Sequence, residues 1–159
     1  MRKFTLLIAC GTWAVLAAAS WASTTDTNLA KPRCFDGRGA ALKAGGFTGP
    51  LVCSREHATF TFVGTLSEAH RSYLIYYYGY RYLPEGASVM HGGHRIVVFS
   101  SVGDYLGQYA LNPLPLLDVV LNHSSVTIIS EGQSMGTIVF KNGPPPSAFV
   151  DGEIIDFFK

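Results

Sequence analysis

An antiparallel all-β domain, either a sandwich or a small barrel, is the fold this chain predicts. Three observations carry the prediction: apolar and polar residues alternate with a period of two, turn residues recur about every ten positions, and the stretches between them are rich in β-branched and aromatic side chains. The 159 residues are 48% hydrophobic and 14% charged, with 17 Gly and 8 Pro, a composition suited to one ordinary globular domain. Three cysteines and no Gly-X-Y or heptad period exclude a disulfide-dense miniprotein, a collagen and a coiled coil.

Three segments are expected in order: a leader over residues 1–22, a Gly-rich segment closed by a disulfide over 23–54, and the β domain over 55–159. The leader opens with Arg2 and Lys3, runs apolar from Phe4 to Ala19 and ends in Ser20-Trp21-Ala22, which places small residues where a signal peptidase reads them. Cys10, Gly11 and Thr12 interrupt the run, and it falls short of the roughly 20 apolar residues of a membrane span. Leu7-Ile8-Ala9-Cys10 has the look of a lipobox, but cleavage there would strand the apolar residues 15–19 on the mature chain. Cleavage after Ala22 is therefore expected, giving an exported protein that begins at Ser23 and resides in the periplasm or outside the cell.

Loss of Arg2 and Lys3 from 12 basic residues against 11 acidic ones leaves a net charge of −1. The remaining Lys and Arg are scattered singly, without the clusters that nucleic-acid binding requires. Trp13 and Trp21 leave with the leader, which excludes a tryptophan platform for carbohydrate. Cys34 and Cys53 remain, an even pair in an exported chain and hence an expected disulfide. Between them lie Gly37, Gly39, Gly45, Gly46, Gly49 and Pro50, a loose stretch whose closure is worth about 3 kcal/mol on the chain-entropy model. Zinc or redox chemistry would need a closer pair or further cysteine ligands, so no metal and no cofactor is expected.

In the β domain, Phe60, Phe62 and Leu66 alternate with Thr59, Thr61 and Thr65 as a half-buried strand requires. A longer strand follows over 72–83, broken by Pro84-Glu85-Gly86. Gly92-Gly93 tolerates the positive φ of a tight turn, so residues 87–91 and 94–98 read as the arms of a hairpin. Further strands are expected over 95–101, 105–111, 125–130 and 135–141, with turns at Val102-Gly103-Asp104 and Glu131-Gly132-Gln133-Ser134. Residues 115–121 read as a short helix, and Asn142-Gly143 with Pro144, Pro145 and Pro146 as the start of a stiff extended linker. The prolines at 84, 113, 115 and 144–146 interrupt the rows of about nine to eleven residues that a membrane barrel needs, so membrane insertion is not expected.

Four constellations invite a chemical reading. Gly132-Gln133-Ser134-Met135-Gly136 matches the G-x-S-x-G nucleophile elbow, and His91-Gly92-Gly93 resembles the start of an oxyanion loop. The elbow needs a helix after its serine and a histidine downstream. Here β-branched residues follow, and His123 is the last histidine, so a hairpin turn is expected. His91 and His94 would face each other across the Gly-Gly turn, with Cβ atoms about 4.5 to 5.5 Å apart, yet a stable zinc site needs a third ligand. Asp151, Glu153 and Asp156 hold the carboxylates of a glycosidase pair, although Gly152 marks a turn among them.

Tyr76, Tyr78, Tyr80 and Tyr82 share one strand face, with Tyr73, Ile75, Tyr77 and Arg81 on the other. Either the rings enter a core with their hydroxyls reaching the rim, or Tyr78, Tyr80 and Tyr82, with His91 and His94 nearby, form an exposed binding stripe of the kind found in interface hot spots. Gly79 would permit a bulge that turns the stripe outward. These features predict a domain that acts by binding a protein partner, such as an enzyme or toxin it inhibits. A small secreted hydrolase using the carboxylates or histidines, and a structural envelope component, are the alternatives.

Overall fold

The computed structural model describes residues 34–112 and 117–159, so the expected leader and the start at Ser23 lie outside the described residues. The alternating pattern becomes nine strands: β1 Ala58–Glu68, β2 Arg71–Tyr82, β3 His91–Ser100, β4 Tyr105–Leu111, β5 Leu117–Asn122, β6 Ser125–Ser130, β7 Gln133–Val139, β8 Ser147–Val150 and β9 Glu153–Phe158. All neighbours are antiparallel, in the order β1-β2-β3-β4-β9-β8-β7-β6-β5. The sheet curls into a nearly closed barrel, and β1 packs against β5 without a ladder between them. Gly64 lies at that seam, where a Cβ would meet Leu121 Cδ1 at 2.7 Å.

Inward-facing residues fill the barrel, as the interior of a small barrel requires. Tyr73, Ile75, Ile96, Val98, Tyr109, Val126, Ile128, Ile138, Phe140 and Ile155 form this core. The Tyr109 hydroxyl donates to the Pro145 carbonyl at 2.7 Å, which satisfies a phenol that is otherwise enclosed. A second core lies outside the barrel wall. There Phe35, Leu42, Tyr76, Tyr78, Val97, Phe99 and Tyr105 pack between strands β2–β4 and the segment 34–53. The middle of strand β2 is therefore buried on both faces, in keeping with the absence of charged side chains between Arg71 and Arg81.

The disulfide Cys34–Cys53, with Cα atoms 5.5 Å apart, fixes that covering segment. Phe35, Asp36 and Gly37 follow in left-handed conformation, with φ of 55°, 50° and 79°, turning the Phe35 ring under the cover against Phe60 and Tyr78. Helix α1, Gly39–Ala44, buries Leu42. It ends at Gly45, where a Cβ would meet the Tyr105 ring at 2.6 Å.

Several sequence expectations are corrected. Gly92-Gly93 is not a turn: both residues lie within β3, opposite Arg81 and Tyr80, and the connection is the loop 83–90. Their small size admits Tyr80, since a Cβ on Gly92 would meet the Tyr80 carbonyl at 2.8 Å and one on Gly93 its hydroxyl at 2.9 Å. The described part of the expected helix is strand β5, in which Leu117, Val119 and Leu121 face the barrel core at alternate positions. The triproline is followed by the β8–β9 hairpin rather than a linker. Gly79 carries no bulge; register shifts fall at Phe62/Gly64, Val98/Phe99 and Ile128/Ile129.

Candidate functional site

The tyrosine ladder on the outer face of β2 changes character along its length. Tyr76 lies under the cover, its hydroxyl accepting from Arg38 Nε at 2.7 Å while the guanidinium rests 5.2 Å from its ring centroid. Tyr78 is fully buried. Its hydroxyl donates to the Pro50 carbonyl at 2.8 Å and accepts from the Val52 N–H at 2.9 Å. Burial pushes this phenol up to about 12, against the opposing effects of the Val52 bond and of Arg95. Tyr80 stacks on Tyr78 at 4.9 Å and is half-buried; Tyr82 follows at 6.1 Å from Tyr80, also half-buried.

Tyr82 pairs with the exposed His91 across the β2–β3 ladder, their rings 6.0 Å apart. Tyr78, Tyr80, Tyr82 and His91 thus form one continuous ladder, buried at Tyr78, partly covered at Tyr80 and Tyr82 and exposed at His91. His94 does not join it. Three residues on from His91, it sits on the opposite face of β3, stacked 5.8 Å from Tyr77 with its Nδ1 2.5 Å from the Tyr77 hydroxyl. Burial, and then the nearby charge of Arg81, lower its pKa. The face-to-face histidine pair expected from a Gly-Gly turn is therefore not formed.

The other motifs resolve into turns and strand positions. Glu131 and Gly132 adopt φ of 50° and 78° in the β6–β7 hairpin, and Asp151 and Gly152 adopt 53° and 75° in the β8–β9 hairpin, the positive-φ pair that two-residue turns favour. Ser134 lies in β7 opposite Ile129, with no helix after it. Glu153 accepts from Asn112 Nδ2 at 2.9 Å, and Asp156 lies on the other face of β9. Among the described residues no group of three or more His, Cys, Asp or Glu is arranged to hold a metal ion.

Two features escaped the sequence reading. Arg95 stands among Phe47, Tyr80 and Phe158, 5.9, 5.8 and 5.7 Å from their centroids, and donates to the Tyr80 hydroxyl at 3.3 Å. It joins the ladder to the cover, a contact spanning residues too distant in sequence for any local pattern to reveal. The second is the loop 83–90, where Leu83, Val89 and Met90 are 56%, 66% and 46% exposed. Large apolar residues on both sides of Pro84-Glu85-Gly86, Leu83 before it and Val89 and Met90 after it, are a readable signal that a strand expected over 87–91 obscures. No protein-family model, curated protein or solved structure matches the chain.

Proposed function

We propose that this protein acts by binding a partner protein, through the end of the barrel where the loop 83–90 joins the tyrosine ladder. The observation that carries the reading is the exposure of Leu83, Val89 and Met90 in one eight-residue connection, flanked by the paired Tyr82 and His91. Apolar groups grouped in this way, beside a tyrosine with a polar tip, have the composition of an interface centre. The disulfide points to an oxidising, extracytoplasmic compartment, and the reading places the protein in the periplasm or outside the cell. An enzyme or toxin held inactive by a small rigid domain is the partner class it favours. The hydrolase alternative gains no assembled set, since His91 and His94 occupy opposite faces and the three carboxylates are dispersed.

The test is a pull-down from an envelope extract with the mature chain, in parallel with a Leu83→Asp/Val89→Asp/Met90→Asp variant. A stoichiometric partner retained by the first and lost by the second, at equal melting temperature, supports the reading. Equal retention by both sinks it.

A further inference from the structure

At the end of the barrel opposite the loop 83–90 lies a cavity of about 610 Å³, within the size range of small-molecule sites, for which barrel mouths are a common location. Its apolar lining comes from Tyr73, Leu106 and Phe157, and its polar rim from His70, Arg71 and Asn142. Tyr73 is only 4% exposed, with its ring 5.5 Å from Phe140. Its hydroxyl makes no hydrogen bond within the described structure, whereas the buried Tyr78 and Tyr109 hydroxyls are both bonded. The ring is thus buried while the hydroxyl remains accessible at the cavity wall without a protein partner among the described residues, a polar group open to a ligand.

The charge at the rim is also uncommitted. Arg71 faces Glu68 across the β1–β2 ladder, but the Glu68 carboxylate is taken by the backbone N–H groups of Asn142 and Gly143, at 2.5 and 3.2 Å. That leaves the Arg71 guanidinium and the His70 ring free of any hydrogen bond or ion pair in the described structure. Asp104, on the neighbouring β3–β4 turn, does not line the cavity.

We infer that this cavity is a binding site for a small amphipathic carboxylate, whose apolar body packs on Leu106, Phe157 and the Tyr73 ring while its carboxylate meets Arg71 and the Tyr73 hydroxyl. A guanidinium suits a carboxylate because its forked N–H donors match the two oxygens. The Asn142 amide supplies a further neutral donor at the rim. The site is separate from the partner surface proposed above, and neither requires the other.

Isothermal titration with decanoate, decanol and decyltrimethylammonium tests the assignment on the mature, oxidised protein. Decanoate is expected to bind at one site, at least tenfold more tightly than decanol, with no saturable binding of the cation. Arg71→Gln, at an exposed position, should weaken decanoate at least tenfold and bring it level with decanol. Tyr73→Phe removes a hydroxyl that has no internal partner, so it should leave the melting temperature unchanged while weakening decanoate several-fold. Absence of saturable decanoate binding, equal affinity for decanol, or unaltered affinity in Arg71→Gln overturns the proposal.

Discussion

Along the outer ladder of β2, one type of side chain meets three surroundings within five residues. Tyr78 is enclosed and doubly hydrogen-bonded, Tyr80 is half covered beside Arg95, and Tyr82 stands at the open end. Truncation should follow that gradient. Tyr78→Ala is expected to cost about 3 to 5 kcal/mol, as for a buried aromatic, and Tyr82→Ala much less; urea denaturation of the two variants measures the difference. Equal losses would mean that the ladder's end is not open. His94 adds a pH dependence whose sign follows from burial. Its folded pKa lies below the ordinary 6.5, so the neutral ring's contribution is complete above 6.5 and is lost as the pH falls from there through the folded value. Stability should decline over that window, and His94→Gln should flatten the decline in denaturation midpoints measured between pH 7.5 and 5.

At the level of elements, glycines that serve packing carry the same sequence signal as glycines that turn the chain. Gly92-Gly93 has the composition of a hairpin loop, yet both residues lie in β3 to make room for Tyr80. Gly136 closes the apparent nucleophile elbow for a similar reason. It pairs with Val150, and a Cβ there would meet the Phe149 carbonyl at 2.5 Å, at a φ of +157°. Gly136→Ala is therefore expected to cost about 1 to 3 kcal/mol, while Ser134→Ala, on an exposed strand position, should be close to neutral. Thermal melts separate the two, and a stable Gly136→Ala would remove the packing explanation. Strands β4 and β6 were legible to the residue because their alternation is bounded by clear turns. β5 was obscured because Pro113 and Pro115 stand before it and a short apolar run does not distinguish helix from strand.

For the whole molecule, the period of two revealed the two faces of β2 but not that both would be buried. Whether an outward face meets solvent depends on where a distant segment settles, and the Gly-rich composition of residues 34–53 carries little pattern from which to read a docking position. The cysteines did carry that information, because their pairing anchors the cover that encloses Tyr76, Tyr78 and Phe99. Cys34→Ser/Cys53→Ser should lower stability by about 3 kcal/mol while the barrel core persists. Denaturation would report the loss, and near-ultraviolet circular dichroism would report loosened tyrosines. An unchanged midpoint would show that the cover holds without its bridge.

That bridge also governs how the chain behaves before it is finished. A loss of about 3 kcal/mol raises the uncovered population roughly a hundredfold, and what is uncovered is a broad aromatic wall of Phe60, Tyr76, Tyr78 and Phe99. Surfaces of that kind are bound by holdase chaperones and drive aggregation. The reduced chain is therefore expected to be the more aggregation-prone form, so one covalent event bears on the solubility of the molecule as well as on its stability.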